Sequence, residues 1–157
     1  MGVEIERKFL VDIKKWQQVA KPLATHLKQG YIINDKYKTI RVRIAGKQGY
    51  LTIKGSTSGI SRKEYEYSIP IKDAMELLDD FAASWVEKNR YCINFAGKKW
   101  EVDEFLGDNE GLVMAEIELK HEESEFEVPA WITKEVSDDH RFFNSSLSVN
   151  PFSKWGK

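Results

Sequence analysis

The first ten residues, MGVEIERKFL, alternate between apolar and charged side chains. Glu4, Glu6 and Lys8 share one parity, and Val3 and Ile5 occupy the other. A period of two is typical of a β-strand with unlike faces. Such a strand commonly turns its apolar face to a core and its charged face to water. The alternative is that the charged face lies inside, around a ligand that needs charge, and the segment alone does not decide between them.

The remaining chain predicts short strands interrupted by two amphipathic helices. A helix is predicted over 12–24, with Asp12 as its N-cap and its end near Pro22. A second helix is predicted over 71–83, where apolar residues recur at helical spacing. Further strands are predicted over 26–33, 36–45, 49–56, 60–70, 84–95, 98–105 and 111–120. Beyond Pro129 the pattern weakens, and it favours a short helix over 131–136 and a capped turn or helix over 138–148.

These elements indicate an α+β fold that is mostly β, with about eight strands. The strands are expected to be antiparallel because the connections between them are short. Neither a repeat nor a Pro/Gly/Ser-rich linker divides the sequence, so residues 1–157 are interpreted as one domain.

The alternation of the first strand returns in six further strands, and the recurring charged residues are long. Like charges occupy positions i and i+2 in four of these strands: Glu4 with Glu6, Arg41 with Arg43, Glu64 with Glu66, and Glu116 with Glu118. Neighbours of like sign on one face repel, so they need partners on adjacent strands or on a ligand.

A closed barrel satisfies this requirement. If the eight strands close into an antiparallel barrel, the charged faces converge inside and the helices cover the apolar outer face. Buried charges are costly unless they are paired or coordinated, so the interior suits a ligand rich in both signs, such as a metal-bound polyphosphate. An open sheet with a solvated charged face is the competing interpretation, and it predicts no specific ligand.

Composition limits the function classes. The net charge of −1 provides no global attraction to nucleic acid or anionic lipid. The sole cysteine, Cys92, excludes an intrachain disulfide. No secretory signal or membrane-spanning apolar run is present in the sequence, so a cytoplasmic protein is expected, with neither nucleic acid nor membrane as partner. A homodimer is the one assembly left open.

The charged motifs also resemble those of a known family. EIERKF is similar to the Glu-x-Glu-x-Lys signature of the CYTH family, also called triphosphate tunnel metalloenzymes. The resemblance continues, in the family's order, through IRVRI, LTIKG, SRKEYEYSI, VEKNRY, WEVDEF, GLVMAEIEL and DDHRFFNSSLS. It implies an eight-stranded tunnel that binds triphosphates with Mg²⁺ or Mn²⁺. Small bacterial-type members hydrolyse inorganic tripolyphosphate to pyrophosphate and orthophosphate.

The resemblance also implies roles for individual residues. The expected metal ligands are acidic, which suits Mg²⁺ because it prefers oxygen donors: Glu4, Glu6, Glu116 and Glu118, with Glu64, Glu66 and Asp103 as further candidates. The expected substrate-binding residues are basic: Lys8, Arg41, Arg43, Lys54, Arg90 and Arg141, with Arg62 and Lys120 as less secure members. Lys8 and Arg90 are also expected to act in catalysis, and Lys88 is expected to activate water with Tyr31 as its neighbour.

Three rival functions remain open at this point. The same tunnel could serve an organic triphosphatase acting on thiamine triphosphate or a nucleoside triphosphate, or an adenylate cyclase of the class IV type. It could also belong to a module that binds polyphosphate or nucleotides without hydrolysing them. The full set of carboxylates argues against the last, because an anion sensor needs bases far more than acids.

Overall fold

Nine β-strands form one antiparallel sheet in the computed structural model, which describes residues 2–156. Met1 and Lys157, the ends of the predicted 1–157 domain, lie outside the described residues. The strands are β1 (Gly2–Val11), β2 (Thr25–Asn34), β3 (Lys38–Ala45), β4 (Gln48–Gly55), β5 (Ser61–Ile69), β6 (Ser84–Phe95), β7 (Lys98–Phe105), β8 (Val113–Glu118) and β9 (Ile132–Glu135). The helices are α1 (Ile13–Gln17), α2 (Ile71–Phe81) and α3 (Asn144–Leu147), with 3₁₀ turns at Gly107–Asn109, His140–Phe142 and Phe152–Lys154.

Eight of these strands close into a barrel, as the alternation predicts. The order is β5-β4-β3-β2-β6-β7-β8-β1, and β1 closes the ring because it also pairs with β5. The first half of β1 pairs with β5, where Glu4 is opposite Arg62. The middle of β1 pairs with β8, where Lys8 is opposite Glu116. The first strand of the chain is therefore the seam that joins the two ends of the sheet.

The short helix predicted over 131–136 is wrong, because this segment contains strand β9. β9 pairs with the end of β1, and the backbone N–H of Val136 donates to the Lys8 carbonyl at 2.8 Å. The Arg7 guanidinium also holds the Glu135 carboxylate through two hydrogen bonds of 2.8 and 2.9 Å. These four residues show no clear alternation, but they form a strand because β1, more than 100 residues earlier in the sequence, supplies their hydrogen-bond partners.

An apolar layer covers part of the outside of the barrel. Trp16 of α1 and Trp131 pack with Trp100 of β7, and all three indoles are buried. Asp12 caps α1 as expected, accepting a hydrogen bond from the Lys15 backbone N–H at 3.1 Å.

Helix α2 packs against β2, β3 and β4 through Ala74 and Leu78. Two glycines permit this close approach. A Cβ at Gly30 would lie 2.6 Å from Leu78 Cδ2, and one at Gly49 would lie 2.8 Å from the Cβ of Ala74. Both positions therefore require the absence of a side chain.

One end of the barrel interior is apolar, which the charged-interior expectation did not include. Four adjacent strands each place an apolar residue two positions beyond an inward-facing charged one: Leu10, Val86, Phe105 and Met114. Val136, Phe142 and Leu147 of the C-terminal segment pack onto them. This cluster is named the apolar plug below, and it occupies that end of the barrel interior beside β6, β7, β8 and β1. No described helix has both the length and the apolar character that crossing a membrane requires.

Candidate functional site

The charged faces of the strands meet inside the barrel, around a cavity of about 230 Å³. Among the described residues, equal numbers of basic and acidic side chains line it. The bases are Lys8, Arg41, Arg43, Lys54, Arg62, Lys88 and Arg90. The acids are Glu4, Glu6, Glu64, Glu66, Glu101, Glu116 and Glu118. The charged face of the opening strand therefore points inward, and the open sheet with a solvated face is excluded.

Three carboxylates converge near one mouth of the cavity. Oxygens of Glu4, Glu64 and Glu118 all lie within 4.8 Å of one another. They come from neighbouring strands, because β1 lies between β5 and β8. Burial and the charges of Glu4 and Glu64 raise the pKa of Glu118. Such an all-oxygen cluster fits a hard divalent cation, which would remove this repulsion.

Glu4 is held in its charged form by bases on the adjoining strands. Lys54 Nζ lies 3.1 Å from one oxygen of Glu4 and 3.3 Å from Glu64, and Arg62 also contacts Glu4 at 3.3 Å. Burial alone would raise the pKa of Glu4, but Lys54 and Arg62 outweigh it and bring the pKa to about 2. A cation would therefore meet an ionised ligand here at neutral pH.

Lys8 links two further carboxylates deeper in the barrel. Its ammonium donates to Glu6 at 3.0 Å and to Glu116. Burial and the nearby Glu116 charge raise the pKa of Glu6 to about 7. Burial would lower the pKa of Lys8, but its two carboxylate partners raise it above its usual value. Lys8 therefore stays charged while it neutralises part of this acidic pair.

Two arginines on β3 face the cavity with donors that the described residues leave unused. Arg41 Nε is buried and has no hydrogen-bond partner within residues 2–156. Arg43 forms no salt bridge with any described carboxylate, and burial together with Arg41 and Arg90 lowers its pKa to about 9. A buried donor without a partner requires a physical explanation, and a bound anion supplies one.

Lys88 lies at the deep end of the cavity beside the apolar plug. Its ammonium contacts Asp103 Oδ2 at 2.7 Å and Asn144 Oδ1 at 2.8 Å, with the Phe105 ring centroid 5.3 Å away. Arg90 also binds Asp103, through two hydrogen bonds of 2.8 and 2.9 Å. Because Asp103 shares its charge between two bases, it only partly offsets burial, which lowers the pKa of Lys88 to about 7.

The structure does not bring every predicted residue to the cavity. Lys120 follows the end of β8 and is exposed, so the alternation of the strand no longer applies to it. Arg141 lies in a 3₁₀ turn, where its side chain is 61% exposed and pairs with Asp139 at 2.7 Å. Neither side chain lines the cavity, so the geometry does not support the expectation that they bind substrate.

Several residues at the site were not among the sequence candidates. Glu101 shares the inward parity of Asp103, so the alternation places it on the charged face, although no role in the site was predicted for it. Gln29 has the same parity as Tyr31, but it is neutral, so the pattern of charges does not indicate it. Asn144 and Ser145 line the cavity from α3, and no strand alternation could indicate them.

The model of the CYTH domain matches residues 2–148. The chain belongs to the CYTH family. The resemblance read from the charged strands is thereby confirmed over nearly the whole chain, and CYTH membership implies a divalent cation, for which the cluster of Glu4, Glu64 and Glu118 offers ligands.

Similar proteins carry a specific name. A protein of Acetivibrio thermocellus named inorganic triphosphatase is 50% identical over 156 residues, covering 99% of each chain. An inorganic triphosphatase of Nitrosomonas europaea is 33% identical over 151 residues, covering 94% of this CYTH chain and 97% of the relative. The crystal structure of the inorganic triphosphatase NE1496 superposes with a TM-score of 0.65 at 31% identity, covering 92% of this chain and 96% of that one.

Proposed function

We propose that this CYTH protein hydrolyses inorganic tripolyphosphate. A water molecule attacks a terminal phosphorus, the bridging P–O bond breaks, and orthophosphate and pyrophosphate leave. The observation that carries the proposal is the cavity of the closed barrel, in which seven bases and seven carboxylates face one another. Such an interior suits a small, highly charged anion together with a cation. The relatives named inorganic triphosphatase support the same reaction.

The size and lining of the cavity favour an inorganic over an organic triphosphate. At about 230 Å³ it is smaller than the roughly 300–1,000 Å³ typical of sites for drug-sized ligands. Among the described lining residues, Tyr31 is the only aromatic one, so no stacking surface for a base or a thiazole ring is evident. Residues 2–156 carry this cavity on one continuous sheet, and we propose that the chain acts as a single domain.

We propose that Glu4, Glu64 and Glu118 hold Mg²⁺ or Mn²⁺. The bound cation would neutralise phosphate charge and orient the oxygens of the substrate. The other acidic residues each lie within 3.6 Å of a base, so we propose that they chiefly hold those bases in place: Glu6, Glu66, Asp103 and Glu116. They remain candidates for a second cation.

We propose that the basic side chains form the phosphate clamp. Arg41 and Arg43 offer planar donor forks to the substrate oxygens, and Arg90, Arg62, Lys54 and Lys8 add positive charge around them. Charge stabilisation of this kind is the main contribution that proteins make to phosphoryl transfer.

Lys88 is proposed as the general base. A pKa of about 7 leaves a substantial fraction of the amine neutral near neutral pH, so its lone pair can accept a proton from the attacking water. Asp103 and Asn144 hold the nitrogen in position, and Tyr31 lies on the same cavity wall.

The test is orthophosphate release from tripolyphosphate, ATP and thiamine triphosphate, each with Mg²⁺, Mn²⁺ or EDTA. Turnover of tripolyphosphate that EDTA abolishes is the expected result. Faster turnover of an organic triphosphate would transfer the function to that substrate, and cyclic nucleotide release from ATP would identify a cyclase. Tight tripolyphosphate binding without phosphate release in either metal would favour a binding module.

A further inference from the structure

A fully buried glutamine stands behind the cavity wall. Gln29 is 0% exposed and lies on β2 two residues before Tyr31, so both side chains point to the same side of the strand. Arg43 of β3 is directly opposite Gln29 in the sheet. Tyr31 and Arg43 line the cavity, whereas Gln29 does not.

The Gln29 amide joins these two cavity residues. Its oxygen Oε1 accepts a hydrogen bond from Arg43 Nε at 2.9 Å, and its nitrogen Nε2 donates to the Tyr31 hydroxyl at 3.1 Å. Both side-chain hydrogen-bonding atoms of this buried amide therefore have partners.

The chemistry of Arg43 determines the orientation of this amide. A guanidinium can only donate, so the amide oxygen must face Arg43 and the NH₂ group must face Tyr31. Since the NH₂ group also donates, the Tyr31 oxygen accepts in this contact, and its own proton is left for another acceptor.

We propose that Gln29 is a positioning residue that directs the Tyr31 hydroxyl proton into the cavity, where it donates to an oxygen of the bound triphosphate. The same amide binds Arg43 through Nε, which leaves the terminal nitrogens of that guanidinium for phosphate oxygens. This inference rests on the proposed function, and it adds to it a residue that never touches the substrate.

The informative substitution is Gln29→Glu. A carboxylate still accepts from Arg43 and keeps the length of the side chain, but it can only accept from Tyr31. The tyrosine proton would then turn toward residue 29 and away from the substrate. We expect kcat for tripolyphosphate to fall about 10²- to 10³-fold, the scale for losing one oriented donor to a reacting anion.

The double-mutant cycle with Tyr31→Phe separates this effect from the added charge. The new carboxylate weakens Arg43 equally with or without the tyrosine hydroxyl, so that part of the loss cancels in the cycle. We expect Gln29→Glu to cost much less activity in the Tyr31→Phe background than in the wild-type chain. Losses that simply multiply would overturn the inference.

Two further variants keep the test decisive. Gln29→Met preserves volume and leaves the tyrosine hydroxyl free to rotate, so its loss of kcat should be smaller than that of Gln29→Glu. It also replaces Gln29→Glu in the cycle if that variant does not fold. Gln48→Glu makes the same chemical change at an exposed site on β4 and should leave kcat unchanged.

The same double-mutant cycle is also measured for substrate binding. The quantity is the Kd for tripolyphosphate, determined by calorimetry in EDTA. Suppose that the wild-type chain never releases phosphate but that the effects of substitutions at positions 29 and 31 on Kd are coupled. This result would reject the proposed hydrolysis and retain the role of Gln29. An active wild-type enzyme with additive effects in both kcat and Kd would retain the hydrolysis and reject the role of Gln29.

Discussion

At the scale of one residue, Lys88 is an informative position to substitute. Its amine is deeply buried, and the nearby Asp103 carboxylate neutralises its charge only in part. Lys88→Met keeps the chain length and removes the amine next to Asp103. We expect kcat for tripolyphosphate to fall roughly 10²- to 10⁴-fold, the range for losing a general base, while KM changes only a few-fold. Steady-state kinetics with saturating Mg²⁺ measure both.

Lys120→Met is the matched control for that substitution, because it removes the same charge from an exposed position outside the cavity. Its kinetics should equal those of the wild-type chain. Wild-type kcat in Lys88→Met would remove Lys88 from the mechanism.

Glu118 is the member of the acidic cluster whose pKa is raised, by burial and by repulsion from the charges of Glu4 and Glu64. Glu118→Gln removes a proposed cation ligand and relieves that repulsion. We therefore expect activity at limiting Mg²⁺ to fall about 100-fold, and Tm of the metal-free protein to stay equal or rise slightly. Activity titrated against Mg²⁺ and thermal unfolding in EDTA provide the two readouts.

Glu110→Gln, in an exposed turn before β8, provides the comparison for the loss of one negative charge. If Glu118→Gln needed no more Mg²⁺ than Glu110→Gln, the assignment of Glu118 as a ligand would fail.

At the scale of an element, strand β9 depends on the bidentate pair between Arg7 and Glu135. Burial would raise the pKa of Glu135, but hydrogen bonds from Arg7 and Ser137 lower it. Glu135→Gln should destabilise the fold by about 1 kcal/mol at neutral pH, which urea unfolding measures.

The pH dependence of that loss follows from the direction of the pKa shift. A carboxyl group with a lowered pKa in the folded state stabilises the protein above its unfolded pKa, about 4.3, and that contribution is lost as the pH falls through the lower folded value. The difference between wild type and Glu135→Gln should therefore be full at pH 7 and shrink under strongly acidic conditions. A difference that grew on acidification would contradict the assignment.

The apolar plug makes a second element, α3, important for stability. Leu147 is 0% exposed within the plug, and Leu147→Ala should cost about 2–5 kcal/mol through lost contacts and a cavity. Val149→Ala, at a position that is 65% exposed, should change stability by less than about 0.5 kcal/mol. Equal denaturation midpoints for the two variants would show that the plug does not stabilise the barrel.

At the scale of the whole molecule, the barrel could be predicted because one physical rule repeats along it. Charges at i and i+2 must share a face, and neighbours such as Arg41 and Arg43 need a common partner, so strands carrying such pairs point to one interior. The rule ends where strands end. Lys120 and Arg141 lie beyond regular strands, and their charge alone could not place them in the cavity.

The remaining differences between the predicted and the observed structure come from contacts that join distant parts of the chain. β9 is a strand because β1 supplies its partners, and a four-residue segment is too short to show that preference itself. The plug depends on apolar residues from β6, β7, β8, β1 and the C-terminal segment meeting in space. Gln29 carries no charge, so only its partners Tyr31 and Arg43 reveal its position in the site.

The apolar plug has a consequence for how a substrate enters the barrel and how its products leave. The plug occupies one end of the barrel, and Asn144 and Ser145 line the cavity next to it. We therefore expect a substrate and its products to share the opposite mouth. In that case each turnover ends before the next molecule enters, and we expect that a long polyphosphate is not threaded through the protein in successive steps. We therefore expect the barrel to select substrates by length, because the depth of the cavity limits how many phosphates can be held at once.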